Sequence, residues 1–304
     1  MTMPLPLCPD CAGETRLIGP IPATDIFAGR KLGRPLAGGS LYRCRKCRLG
    51  FRWPRLFKDE LDALYKEGNE NTWSTSGDSR TDWLVARDWL TRGLPVGSRI
   101  LDVGCFDGGF LEPLLASYRC CGIEIHPKAR DRAKQKGIEV IGSDFSGVAG
   151  DFDCITAFDV IEHMERPRSF LADCLAAIRP GGWVLVSTGN LDAFTFRIMG
   201  GRYWYCTIAE HISFVSPTWF KAITESEGNQ VLRQATFAHG SVSPARRLRE
   251  AANNFLYCTA PWGFRGLRQL GMGGKAVRTH PELADHPPGW GSAKDHFMVL
   301  VQKS

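Results

Sequence analysis

The chain has 304 residues, of which 43% are hydrophobic and 23% charged, values that fit one large globular domain with an appendage, or two domains, and exclude disordered and fibrous classes. The net charge of +6 is unevenly placed: residues 1–57 carry +7, residues 58–240 carry −6 and residues 241–304 carry +5. An acidic middle between basic ends excludes a uniformly basic nucleic-acid coat and leaves open what the ends touch.

No run reaches the ~18 uncharged apolar residues of a spanning helix. The stretch from Met1 to Pro9 lacks the basic and apolar regions of a signal peptide, so a cytoplasmic protein is expected. Its eleven cysteines are then read as reduced, serving as metal ligands and small buried residues.

The first elements in chain order are two Cys-x-x-Cys pairs, Cys8-Pro9-Asp10-Cys11 and Cys44-Arg45-Lys46-Cys47. Two intervening residues let a tight turn aim both sulfurs at one ion, and two such turns make the closed tetrathiolate set of structural zinc. Arg43, Arg45, Lys46 and Arg48 offset the surplus negative charge of that set. Short strands are expected at Thr15–Ile18 and Ser40–Arg43 between the pairs.

An amphipathic helix is predicted over Thr81–Leu94. Next comes a buried strand from Arg99, a Gly-rich turn at Gly104–Gly108 and a further helix. Strands at Cys120–Glu124, Glu139–Ile141, Asp153–Phe158, Trp183–Thr188 and Val231–Ala238 alternate with helices at Pro127–Lys136, Arg168–Ile178 and Pro217–Glu227. This alternation predicts a doubly wound α/β sheet whose ligand lies beyond the carboxyl ends of its strands. Asp102, Gly104, Gly108, Glu124, Asp144 and Asp159 fall at those ends. The turn lacks the third glycine of a dinucleotide fingerprint, while Glu124 suits a ribose diol.

Ile100–Gly108 resembles motif I of the class I S-adenosylmethionine-dependent methyltransferases, and Asp153–His163 and Ile178–Val186 resemble the later motifs of that family. The resemblance implies a seven-stranded Rossmann-like sheet, with Gly104 and Gly108 approaching the cofactor. It implies that Glu124 binds the ribose, Asp144 the adenine amino group with Phe145 against the ring, and that Asp102 orients the turn. Asp159 completes the set, and Phe106 stands where the family usually has glycine. Cys44–Pro54 followed by Glu60–Tyr65 is similar to the zinc-bearing N-terminal segment of bacterial sugar and polysaccharide-pathway methyltransferases. The implied organisation is a zinc ribbon at 1–57, a helical linker and first helices at 58–98, and a methyltransferase domain at 99–304.

Methyl transfer to an alcohol needs close placement of the acceptor and a base for its proton. Glu162-His163 and Glu210-His211 are the candidates, each in a loop expected over the cofactor; His211 stands first as base, then His163, with Glu210 beside it. Tyr203 or Tyr205 would touch substrate. Ile208 occupies the place where sugar C-methyltransferases of this group usually carry tyrosine, which favours O-methylation.

Asp295–Gln302 is predicted as the last, antiparallel strand, preceded by a basic helical insertion at about 241–290. Its helix, Pro244–Cys258, carries Arg246, Arg247 and Arg249 beside Leu248, Phe255 and Leu256, with Trp262, Phe264, Arg265 and Arg268 following. The helix is read first as a cap packing its apolar face on the domain, and second as a peripheral contact through 244–268 at the inner membrane face. The sequence reading is thus O-methylation of a sugar, nucleotide-sugar or glycan intermediate. Its alternatives are an RNA methyltransferase gripping phosphates with the basic ribbon and a non-catalytic cofactor-binding module.

Overall fold

The computed structural model describes residues 5–55, 60–61, 64, 80–145, 148, 150–238, 242–272 and 274–304. Strands β1 (Thr15–Ile21), β2 (Thr24–Phe27), β3 (Arg30–Leu36), β4 (Gly39–Cys44) and β5 (Gly50–Trp53) come first. Helix α1 (Thr81–Gly93) leads into β6 (Arg99–Val103), β7 (Arg119–Ile123), α2 (Pro127–Gln135), β8 (Glu139–Gly142), β9 (Phe152–Phe158), α3 (Pro167–Ala177) and β10 (Ile178–Gly189). Short helices α4 (Phe194–Met199) and α5 (Trp204–Thr207) precede β11 (Ser213–Phe214), α6 (Pro217–Ser226) and β12 (Gln230–Phe237). Helices α7 (Pro244–Thr259), α8 (Pro261–Leu267) and α9 (Gly274–Thr279) come before β13 (His296–Gln302). Within the expected linker, residues 58–59, 62–63 and 65–79 lie outside the described residues, and with them half of Glu60–Tyr65.

The chain forms two compact units. One comprises Glu70–Gly189, Val215–Phe237 and His296–Ser304 and contains the predicted doubly wound sheet. Its seven strands run in the order β12-β13-β10-β9-β6-β7-β8. The neighbours of β13 are antiparallel to it, and the other pairs are parallel. Strands β6, β9 and β10 are buried along most of their length, polar Asp102, Thr156 and Ser187 included, because both faces of a parallel sheet are covered. Trp83, Ala86 and Leu90 lie on one side of α1 and pack with Ile100, Phe110, Cys154, Leu185 and Met298. The helix expected after the Gly-rich turn is reduced to one 3₁₀ turn, Glu112–Leu114. Gly108 and Gly109 are poor helix formers, and Pro113 lacks the N–H that an α-helix would need.

The other unit joins Met1–Asn69 with Asn190–Phe214 and Ala238–Asp295, so the compact units do not follow the linear division at 57 and 98. The reason is long-range pairing. Strand β11 pairs with β5, Ser213 opposite Phe51, and closes the antiparallel sheet β1-β4-β5-β11. Phe196, Tyr203, Tyr205 and Tyr257 share a core with Ile21 and Leu41. The capping expectation for α7 is also corrected. Its buried residues are Glu250, Asn254 and Tyr257, whereas Leu248, Phe255 and Leu256 are exposed. No helix among the described residues is long and apolar enough to cross a membrane.

Leu185 on β10 is fully buried between its neighbours β9 and β13. Leu185→Ala is expected to cost about 2–5 kcal/mol, read as a lower urea midpoint by circular dichroism.

Candidate active site

In the sheet unit, the turn after β6 is drawn onto the end of β7. The N–H groups of Gly104 and Cys105 both donate to the Ile123 carbonyl, at 2.8 and 3.0 Å. Gly104 and Gly108 have φ of +75° and +77°, a region that disfavours side chains. Phe106 enters the same region at φ +47° despite its side chain. Its ring lies 5.3 Å from the Arg132 guanidinium carbon. The Glu124 carboxylate holds this arrangement: Oε2 accepts the Phe106 N–H at 2.9 Å, and Oε1 accepts the His126 N–H at 2.7 Å. Burial pushes the Glu124 carboxyl above its ordinary range, and the two N–H bonds work against that shift.

Asp102 and Thr156 are register partners on β6 and β9, and the Thr156 hydroxyl donates to Asp102 Oδ1 at 2.7 Å. Burial pushes the Asp102 carboxyl up to about 7. Asp159, just after β9, is left-handed at φ +54°, and its Oδ2 accepts from Arg80 Nη2 at 2.7 Å. Arg80 also grips both oxygens of Asp82, at 3.0 and 2.6 Å, and lies 5.0 Å from the centre of the Trp83 ring. Burial works to lower the Arg80 pKa, but Asp159 and Asp82 hold it well above its ordinary value. Asp82 in turn accepts from the Ser187 hydroxyl at 3.2 Å.

Asp144 is exposed after β8, and Phe145 is half-buried with its ring edge-on to Phe170 at 6.1 Å. Glu162 is buried in a 3₁₀ turn and accepts from the Thr188 hydroxyl at 2.9 Å, with His163 half-buried beside it. Sequence reasoning missed Arg80 and Asp82. Their signal was an Arg-x-Asp triplet at the start of the amphipathic helix, with the cation placed to meet the acid after β9.

In the other unit, His211 is buried and its ring lies 4.3 Å from that of Tyr205. Its Nδ1 is 3.2 Å from the Tyr205 carbonyl oxygen. That oxygen can only accept, so Nδ1 carries a proton, and in the neutral ring Nε2 is the acceptor. Glu210 Oε1 accepts the Ala28 N–H at 2.9 Å, anchoring this loop to the β2–β3 turn. Arg52 is buried on β5 and donates to the carbonyls of Cys206, Ile208 and His211, at 2.5, 3.1 and 3.3 Å. Tyr203 and Tyr205 are buried rather than presented to solvent, and the Tyr203 hydroxyl donates to Asp295.

The four cysteines converge in the same unit, their sulfurs within 4.8 Å of one another. The Cys8–Cys47 and Cys11–Cys44 sulfur separations are both 3.5 Å, near the ~3.8 Å edge of a tetrahedron with 2.3 Å zinc–sulfur bonds. The two knuckles repeat one backbone design. Cys8 N–H donates to Gly13 O and Cys44 N–H to Leu49 O, and a left-handed residue, Ala12 or Arg48, follows each second cysteine. A Cβ on Gly13 would sit 3.2 Å from Lys46 Cβ, 3.3 Å from Cys11 Sγ and 3.4 Å from Cys44 Sγ, a fit tight enough that the neighbours would have to shift by a few tenths of an ångström. The donor set fits structural zinc. In the sheet unit, Asp102, Glu124 and Asp144 are carboxylates at or just after the ends of β6, β7 and β8.

A ubiquinone biosynthesis O-methyltransferase from Bordetella bronchiseptica is 33% identical over 130 residues, 38% of this chain and 54% of that protein. One of the same description from Aromatoleum aromaticum is 32% identical over 163 residues, 49% of this chain and 68% of that protein. The chain thus spans about half the length of the Bordetella relatives it matches. A solved coclaurine N-methyltransferase bound to N-methylheliamine and SAH covers 73% of this chain and 70% of its own at 14% identity, with a TM-score of 0.47. The family described as Methyltransferase domain matches residues 80–234, half of the chain, and the protein belongs to that family.

Proposed function

We propose that this chain transfers a methyl group from S-adenosylmethionine to a hydroxyl oxygen of a sugar, nucleotide-sugar or glycan intermediate. The observation that carries the reading is the buried Glu124 carboxylate, bound to the turn that carries Gly104 and Gly108. The family match supports methyl transfer, and the relatives' names support an oxygen acceptor. The acceptor class rests on the resemblance read in the sequence at Cys44–Pro54 and Glu60–Tyr65. A second reading, an acceptor within ubiquinone biosynthesis, is favoured by those same names.

When bound, the cofactor supplies an electrophilic methyl group on a cationic sulfur. Glu124 accepts from the ribose hydroxyls, and Gly104 and Gly108 let backbone approach the ligand. Phe106 offers its backbone beside them. Asp144 accepts from the adenine amino group, with Phe145 at the ring. Arg80, paired with Asp82 and Asp159, steadies the acid after β9, and Asp102 orients the turn. His211 takes the acceptor's proton at Nε2; His163 is the second candidate. Glu210 holds the His211 loop through Ala28. Cys8, Cys11, Cys44 and Cys47 hold zinc as a structural group.

Calorimetry tests the cofactor reading. Wild type is expected to bind S-adenosylmethionine, and Glu124→Ala to lose at least ~10-fold in affinity through the lost charge-assisted hydrogen bonds. Absence of heat in the wild type would overturn the reading. Labelled methyl transfer to a panel of nucleotide sugars, glycans, quinone precursors and RNA then separates the acceptor classes.

With the acceptor found, His211→Asn preserves a donor toward the Tyr205 carbonyl but removes the base. It is expected to lower kcat by roughly 10²–10⁴-fold while leaving cofactor affinity unchanged. His163→Asn with the larger loss would move the base to His163.

Elemental analysis is expected to find one zinc per chain and none in Cys44→Ser. Chelation is expected to lower the thermal midpoint, because metal binding contributes folding free energy.

A further inference from the structure

The insertion before β13 turns its polar side inward. Glu250 accepts the Ser292 N–H at 2.9 Å, Asn254 Nδ2 donates to Gly289 O at 3.3 Å, and the Tyr257 hydroxyl donates to Asp285 O at 2.6 Å. These bonds decide which side of α7 faces the protein. The opposite side carries Leu248, Ala252 and Phe255 at i, i+4 and i+7, one stripe of the helix. Leu248 is 73% exposed and Phe255 70%, and beyond α7 Trp262, Leu270 and Met272 reach 80%, 88% and 77%. Scattered apolar exposure is ordinary, but here five large side chains more than two-thirds exposed fall within one 25-residue stretch, Leu248 to Met272.

Charge identifies the partner. Residues 244–279 contain six arginines and one lysine against a single acid, Glu250, which is turned inward and paired with Arg246 at 2.9 Å. Arg247, Arg249, Lys275 and Arg278 are exposed. A two-fold contact with a second copy would set this positive surface against itself. RNA would engage the arginines but leave Leu248, Leu270 and Met272 against a hydrated backbone. An anionic bilayer satisfies both features, taking apolar side chains into its headgroup boundary and pairing cations with its phosphates. We propose that residues 244–279 form a docking surface for an anionic lipid bilayer, with Leu248, Phe255, Trp262, Leu270 and Met272 as the inserted side chains.

The test is flotation of the full chain with phosphatidylcholine vesicles, with and without phosphatidylglycerol. Wild type is expected to float with the anionic vesicles and to detach as salt rises from ~0.05 to ~0.5 M. Trp262→Asp combined with Leu270→Asp is expected to lower partitioning at least ~10-fold. Arg247→Ala and Arg249→Ala are each expected to lower it about fivefold. All four side chains are exposed, so circular dichroism is expected to stay unchanged. Wild type that stays unbound to anionic vesicles, or variants that float equally well, would sink the proposal. A wild-type dimer that Trp262→Asp converts to monomer, without flotation, would assign the surface to a second copy. Methyl transfer is not read in this assay, so the proposed activity and the lipid surface fail or succeed separately.

Discussion

A carboxylate withdrawn from water needs donors, and Glu124 finds two in the backbone, the N–H groups of Phe106 and His126. Because these N–H groups belong to the turns after β6 and β7, one side chain sets the spacing of both turns. The left-handed conformation of Phe106 costs about 1–2 kcal/mol, no more than the ~1.5–3 kcal/mol that a hydrogen bond to a charged group supplies. A strained non-glycine residue is therefore sustainable at that position. Asp102 shows the contrast. With a single hydroxyl donor and complete burial, its carboxyl is pushed up to about 7.

Much of the sheet unit was legible in the sequence because its signals are local. Short, largely apolar runs with Gly and acidic residues at or near their ends mark buried parallel strands, and the family motifs tie them into one order. The helix after Gly108 was misread because an apolar run, Phe110-Leu111, resembles a helix start, while the effect of Pro113 depends on how far the turn extends. The arginine bridging Asp82 and Asp159 was legible only as a triplet, since its partners lie on elements brought together by the sheet.

The other unit was less legible, for physical reasons. Strand β11 has two residues, too few for periodicity to register, yet its pairing with β5 decides where the 190–214 segment belongs. Hydrophobic patterning showed that α7 is two-sided and suggested the wrong side inward. Glu250, Asn254 and Tyr257 instead satisfy backbone groups of the 285–292 segment, and an interior lined by such groups takes a polar helix face. The Cys-x-x-Cys spacing predicted the thiolate set. The matched left-handed residues after Cys11 and Cys47 show that the two knuckles also share a backbone design.

The pairing of β5 with β11 shapes how this chain reaches its fold. Gly50–Trp53 leaves the ribosome long before Ser213–Phe214, and the segment Ala238–Asp295 comes later still. One compact unit is thus assembled from three separated pieces, while most of the other lies between them in the chain. Closing so long a loop is entropically costly and slow. The knuckles and the β1–β4, β2–β3 and β4–β5 pairs are local structures available meanwhile, since each pairs residues within the N-terminal segment. The bare edge of β5 must wait for its partner, and during synthesis that waiting edge is where this molecule is open to mispairing.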